Sequence, residues 1–423
     1  MATYLGKTFG SAGNQRTWTW SGWVKFTGGG ADFTIFSGGT GLGASGNRVV
    51  FQTLSGESEK VMAFSGNTSE FAFKTSASFR DKNAWYHFVL AMDTTQATDS
   101  NRFKLYVNGS QVTDTAQLTY PAQNLQLGIN NNQQQYIGLK TSDNNNGFNG
   151  YMADVHFIDG TQLTAASFGQ TDSTTGIWKP KTYSGSYGTN GYRLEFKNAG
   201  ALGTDTSGNT NTWTVYNAGT NAQVTDTPSN VFSVLNTITA DGGTWTLGAL
   251  KYVTNGTDLV CGISSFALTG SSKWYCEMKA ITKTGNYFNF GVASSSKSMN
   301  DNGIIYRSDG KIYKDGNENQ SSLATFTDND IIGIIYDCSN NQCSFQKNGS
   351  AVGSAVTIGD ATKDIFFVTG GNGGTNSTAE VNFGNPVFSI SSSNADGAGL
   401  GSFEYAVPSG AYSLCTDNIN TYG

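Results

Sequence analysis

Charge is scarce in this sequence. Asp, Glu, Lys and Arg make up 13% of the 423 residues, about half the usual share of roughly 25%. No Lys/Arg cluster stands out and the net charge is −6. That argues against nucleic acid as a partner, because basic residues displacing counterions drive such binding. Proline occurs 5 times and histidine 2 times. The 5 cysteines, Cys261, Cys276, Cys338, Cys343 and Cys415, are odd in number and irregular in spacing. Neither a disulfide framework nor a zinc pattern emerges. Cys338 and Cys343 flank a hairpin turn, Ser339–Gln342, and could face each other. Free thiols are the expectation, because a large domain does not need a lone bridge. No apolar run reaches about 18 residues, and the first residues lack the apolar core of a signal peptide. Synthesis in a cytosol, no membrane insertion, and release by lysis rather than secretion follow as expectations.

What is abundant is Gly (54), with Asn, Ser and Thr, beside 13% aromatics. Disordered chains lack aromatics and β-branched residues, so the small polar residues belong to turns between strands. In Thr17–Phe26, Trp18, Trp20, Val24 and Phe26 fall on one face and Thr19, Ser21, Trp23 and Lys25 on the other. This period of two marks a half-buried strand. Phe103, Leu105 and Val107 repeat it before Asn108-Gly109, and Gln342–Lys347 precedes Asn348-Gly349. Asn-Gly is the strongest short hairpin signal, since both turn residues need positive φ. Ile331–Tyr336 is apolar on both faces and reads as a central strand. No dozen residues carry a helical period; Leu163–Gly169 offers one short turn, with Thr164 as cap. The fold class expected is all-β, with two tandem antiparallel β-sandwich domains of jelly-roll, lectin-like form. Their ranges are 17–230 and 231–423, the boundary being the turn cluster Asp226–Asn230. Residues 1–16 are expected to be an anchoring arm.

Catalytic sets are absent from the pattern. A glycosidase needs a carboxylate pair flanking the bond. Glu57 and Glu59, or Asp328 and Asp330, alternate as such a pair would, but they sit in polar turn segments. His87 and His156 are too isolated for a triad or a metal site. The chain is expected not to be an enzyme. Trp23, on the less apolar face of its strand, is a candidate to stack on a sugar or to meet a neighbouring subunit.

Several segments resemble known families. Trp85–Val89, Leu105–Gly109, Tyr136–Gly138 and Phe148–Val155 resemble the concanavalin A-like, laminin-G-type lectin superfamily, from whose usual strand ending Met152, Ala153 and Asp154 depart. Lys273–Glu277, Phe290–Ala293, Asp330–Gly333, Phe345–Gly349 and Asn382–Gly384 resemble the SPRY family. The connecting stretch, with Phe168–Gln170, Thr175–Lys181, Gly188–Leu194, Asp205–Asn209 and Asp226–Asn230, resembles a composite of both domains found in structural proteins of tailed bacteriophages. That resemblance implies a virion surface protein (tail fibre, appendage or capsid decoration) assembled in the host cytoplasm. It implies contacts with other virion proteins or a host-surface glycan, and a homo-oligomer such as a trimer. By resemblance to SPRY domains, Asn286, Tyr287, Tyr306, Asp309, Asn317 and Asn372 are ligand-binding candidates. Lectin-like sandwiches often hold calcium, and Asp143, Asn144 and Asn145 form the richest oxygen cluster; the alternative is a polar loop tip. No cofactor is otherwise required. Competing readings are a secreted glycan hydrolase and a SPRY-type peptide-binding adaptor.

Overall fold

The computed structural model describes the chain apart from residues 1–2, 28–31, 40–48, 55, 58, 66–67, 141–145, 220–221, 237–242, 256–260, 285–286, 295–299 and 373–374; of 49, 255, 261, 372, 375 and 376 only the backbone is described. The chain forms two compact units, Met1–Gln223 and Val224–Gly423. Each is a β-sandwich, as alternation and turn chemistry led us to expect.

In the first unit an 8-stranded sheet runs in the order Thr115–Thr119, Ala72–Thr75, Val61–Ser65, Val49–Thr53, Thr34–Gly38, Gln134–Ile137, Tyr4–Thr8, Thr214–Tyr216. It faces a 6-stranded sheet ordered Tyr192–Leu194, Gly150–Asp159, Thr17–Phe26, Tyr86–Asp93, Phe103–Val107, Ser110–Gln111. Trp18, Trp20, Val24 and Phe26 enter the shared core as the period of two required. Trp20 stacks on Phe36 of the opposite sheet at 5.7 Å between ring centroids. Tyr4–Thr8, inside the stretch expected to be an anchoring arm, is hydrogen-bonded to strands on both sides. It is an integral strand, because its backbone groups complete two ladders.

The other face of Thr17–Phe26 corrects the half-buried expectation: Thr19, Ser21, Trp23 and Lys25 are buried as well. The chain after Asp159 folds back over this face. Ala165, Phe168 and Tyr187 pack on Val89, Ala91, Tyr106 and Ile158, with Leu163, Trp178 and Tyr183 at the margin. Thr19 Oγ1 donates to Thr161 O and accepts from Leu163 N–H, both at 2.8 Å. The single turn expected near Leu163 is a 3₁₀ turn, Ala165–Ser167, preceded by Thr164 without a side-chain cap bond. Farther along, Tyr192–Leu194 extends the 6-stranded sheet and Thr214–Tyr216 the 8-stranded one. The connecting stretch thus clasps both layers of the first unit.

The second unit pairs an 8-stranded sheet built on Lys273–Thr282 and Ile331–Asp337 with a 6-stranded sheet built on Tyr287–Ala293 and Phe366–Asn372. Ile332, Ile334 and Tyr336 face the core, with Trp274, Phe290 and Phe345. Ile331 and Ile335 are buried on the other face, as a central strand requires. A seven-residue helix, Thr416–Tyr422, closes the chain. Its first residue bonds Val231 in both directions at 3.0 Å, so the start and end of this unit are stitched together. The turn Asp226–Asn230 belongs here, since Asp226 Oδ1 accepts from Phe232 N–H.

The Asn-Gly hairpins form as expected, with φ of 46° and 87° at Asn108 and Gly109, and 48° and 79° at Asn348 and Gly349. Each Asn side chain also accepts a strand N–H, from His87 at 2.8 Å and from Ile331 at 2.9 Å. Gly109 has a second duty: a Cβ there would lie 2.8 Å from the Trp178 ring. Gly109→Ala should therefore destabilise the first unit by more than the roughly 1–2 kcal/mol of a left-handed alanine. Gly160→Ala, at a φ of 89° with open space around it, should cost only that amount. Urea unfolding of both variants checks the difference.

Candidate functional site

Trp23 is not a free stacking platform. It is 3% exposed and lies on His87, with 4.8 Å between ring centroids. His87 is itself fully buried, with Ser21 Oγ 2.8 Å from Nε2 and the Trp178 indole N–H donating to Nδ1 at 3.0 Å. An indole only donates, so Nδ1 must be the bare acceptor and Nε2–H donates to Ser21. The imidazole is held neutral: burial, then the field of His156, push its pKa down to about 3, against a smaller upward pull from Asp154. It packs the outer cover; it faces no open space.

His156 Nδ1 meets Tyr187 Oη at 2.9 Å, and its Nε2 lies 3.1 Å from Asp154 Oδ2 without a hydrogen bond of good geometry. Asp154 sits at φ 46° where the strand slips register between Ala153 and His156. That bulge turns its carboxylate toward Arg193 Nε at 2.8 Å. Burial would raise the pKa of Asp154, but His156 and Arg193 outweigh it and hold it at about 2. The departure from the lectin pattern at 152–154 is thus a structural ion pair.

The carboxylate pairs are also engaged. Glu57 bonds Lys74 and Glu59 bonds Lys82, while Asp330 pairs with Lys347 at 3.1 Å and Asp328 accepts from Lys283 N–H. Among the described residues no three His, Cys, Asp or Glu side chains gather as metal ligands. The calcium candidates Asp143, Asn144 and Asn145 lie outside the described residues, as does Asn286. Cys276, Cys338, Cys343 and Cys415 are free thiols. Cys343 is in the core whereas Cys338 reaches Thr269 O, and burial lifts the Cys338 thiol to about 11.

A second-unit surface does converge. Along Ile304–Arg307 the alternation sends Ile304 and Tyr306 into the main core and Ile305 and Arg307 to the opposite face. Tyr306 is therefore fully buried, donating to Ala324 O, with its phenol raised by burial to about 12; it is not available to a ligand. Its neighbour Arg307 is the residue that sequence reasoning missed. The guanidinium lies 3.9 Å from the ring centroid of Tyr287 and 4.1 Å from that of Tyr313. Asp309 takes Nε at 2.9 Å and also Nη2. This partnership holds the Asp309 carboxyl below its ordinary range and Arg307 above its own. Among the described residues Nη1 has no partner, and both side chains stay partly exposed, at 20% and 25%. Asn317 stands exposed at the far end of strand Lys311–Lys314, its amide on Asp315 O. Asn372 pairs through its backbone with Tyr287, its side chain being outside the description. Tyr287 and Asp309 are thus brought together, by Arg307. The period of two in Ile304–Arg307 was the signal that could have found it.

Such a cluster presents a preorganised cation on a partly exposed face. Two tyrosines and a bidentate carboxylate fix a planar cation that ordinarily samples many rotamers, so little entropy is lost when it bonds a partner.

Comparison with known proteins agrees with this division. Residues 7–168 match the family model described as the concanavalin A-like lectin/glucanases superfamily, and residues 232–386 match that of the SPRY domain. The chain joins a concanavalin A-like domain to a SPRY domain. The stretch between the two matches lies outside both family models. The crystal structure of the SPRY domain of human HERC1 is similar at 18% identity, over 35% of this chain and 96% of that one, with a TM-score of 0.28. The native heptameric SAP-like pentraxin from Limulus polyphemus is similar at 15% identity, over 38% of this chain and 72% of that one, with a TM-score of 0.30. No curated protein matches the chain.

His87 makes the concanavalin A-like domain acid-sensitive. Its folded pKa lies below the ordinary value of 6.5, so the unfolded chain binds the proton more readily. Stability is fully present above pH 6.5 and is lost as pH falls toward 3, by on the order of 2 kcal/mol at pH 5. Buried Glu277 works in the opposite sense in the SPRY domain, where burial raises its pKa. Unfolding at pH 7 and 5 should therefore weaken the first domain's transition. Imidazole ¹⁵N shifts should report His87 as the Nε2–H tautomer above about pH 5, with no protonation step near 6.5.

Proposed function

We propose that this protein is a non-enzymatic binding protein of a virion surface, and that the Arg307 face of its SPRY domain is a contact surface for a protein partner. Concanavalin A-like and SPRY domains both point to binding roles. The observation that carries the reading is the clamped guanidinium: Arg307 between Tyr287 and Tyr313, steered by Asp309, with Nη1 uncommitted. It would bond a carboxylate, amide or carbonyl oxygen presented by another virion protein or by a host-surface molecule. The virion assignment rests on the residues between and beside the domains, Phe168–Gln170, Thr175–Lys181, Gly188–Leu194 and Asp205–Asn209, which resemble tailed-phage structural proteins. As a tail fibre, appendage or capsid decoration the protein would assemble in the host cytoplasm as a homo-oligomer such as a trimer. It would need no cofactor.

Calibrated mass spectrometry of purified particles tests the location. Copies on the order of hundreds per particle would place it on the capsid lattice, and a few to a few tens on the tail or a vertex. None would refute the virion assignment. Arg307→Ala should weaken partner binding about tenfold or more, and Arg307→Lys should not restore it, since an ammonium lacks the stacked plane. A retained soluble host protein that ignores both variants would overturn the Arg307 assignment.

A further inference from the structure

The 2 histidines of the chain share one place. Both lie on the outer face of the 6-stranded sheet in the first domain. Both meet the segment that covers this face, His87 through Trp178 and His156 through Tyr187. That segment is fastened at its two ends. At its start, Thr19 Oγ1 holds Thr161 O and Leu163 N–H, and the Gln162 amide donates to Ala91 O and Asn101 O. At its finish, Tyr187 O accepts from Asp159 N–H. In between, strands Gly169–Thr171 and Trp178–Pro180 pair only with each other. Among the described residues, the one hydrogen bond from 164–186 to either main sheet is that of the Trp178 indole to His87 Nδ1. The rest of the hold is apolar, with Ala165 and Phe168 packed on Val89, Ala91 and Ile158.

A proton acts differently on the two rings. His156 Nε2 lies 3.1 Å from Asp154 Oδ2, and Arg193 holds the other oxygen of that carboxylate. Phe168 and Tyr183 flank the ring. A proton on His156 therefore meets a carboxylate, and Tyr187 keeps its backbone bond. His87 touches no carboxylate among the described residues; its contacts are Ser21, Trp23 and Trp178. Lys25 lies buried two residues past Trp23 on the same face. The charges of the covering segment are taken up within it, Asp172 by Lys179 at 3.4 Å and Lys181 by Ala166 O. The charges that act on the His87 ring are those of His156 and Asp154. An indole only donates, so a proton on Nδ1 would set N–H against N–H. It would also place a cation under an apolar cover, which is costly. Both costs vanish if the cover lifts.

We propose that residues 164–186 are a proton-released flap: protonation of His87 ejects the Trp178 indole and lifts the segment off Val89, Ala91 and Ile158, while Leu163 and Tyr187 stay in place as its hinges. Acid thus bares an apolar face that closes again at neutral pH. With the flap closed the ring takes a proton only at about pH 3; with it open, near the ordinary value of 6.5. Each pH unit below 6.5 therefore favours the open form about tenfold. The flap is separate from the Arg307 surface and does not depend on a virion location.

Hydrogen exchange of the full chain tests this, read by mass spectrometry at pH 7, 6 and 5 and normalised for the intrinsic pH dependence of exchange. A short two-stranded ladder is not stable alone in water, so lifting frees the amides of 168–181. Below about pH 6.5 their protection should fall about tenfold per unit, while Thr17–Phe26 and Tyr86–Asp93 keep theirs. His87→Gln keeps an acceptor that does not titrate and should make the flap's protection independent of pH. Trp178→Phe should lower that protection about tenfold or more already at pH 7, with the strands unaffected. Equal loss in 168–181 and in Thr17–Phe26 would overturn the inference, since the domain would then be unfolding as a whole. So would protection of 168–181 that is unchanged between pH 7 and 5, a pH response retained in His87→Gln, or unchanged protection in Trp178→Phe. Should His87→Gln fail to fold, the wild-type profile and the Trp178 variant decide the matter between them.

Discussion

The bond from the Trp178 indole to His87 is what the first domain's architecture depends on. It fixes a neutral imidazole deep in the sheet, satisfies Ser21 on the imidazole's other side and sets Trp23 flat against its ring. Without it the sheet would present a buried acceptor with no donor, costing about 1–3 kcal/mol. With it the outer face becomes a second apolar layer, in which Phe168 and Tyr187 cover Val89 and Ile158. Two glycines make room for the indole: a Cβ at Gly109 or Gly169 would come within 2.8 Å or 2.4 Å of its ring. One hairpin turn therefore serves both strand reversal and the seating of the cover.

A chain so poor in charge organises its loops with neutral donors. Asp159 gathers Asn14, Asn130 and Asn190, and Asn190 reaches on to Asn130 Oδ1 and Ser11 O. Asp205 accepts from Arg193, Ser207 and Asn211 backbone N–H groups, while Asn209 and Asn211 donate to carbonyls of 188–191. Short Asx side chains that bond nearby backbone are suited to such knots. In the SPRY domain Glu277 plays the comparable part. Buried on strand Lys273–Thr282, it takes the N–H groups of Glu404 and Tyr405 and the Asn382 amide. That pins the C-terminal segment to the outside of its sheet, away from the opposite sheet that carries Arg307.

The amino-acid order alone determined the all-β class, both Asn-Gly hairpins and the inward faces of strands such as Thr17–Phe26 and Ile331–Tyr336. These are local properties: a period of two and a need for positive φ act over a few residues, whatever the rest of the chain does. Only the tertiary structure decided what happens to the other faces. Trp23 reads as exposed until His87, itself held by Trp178 from far along the chain, stacks on it. Tyr306 reads as a ligand-binding candidate until its strand pairs with Tyr287–Ala293 and turns it inward, leaving Arg307 on the other face. Burial, charge pairing and convergence are sums over distant segments, so they exist only once the layers have closed.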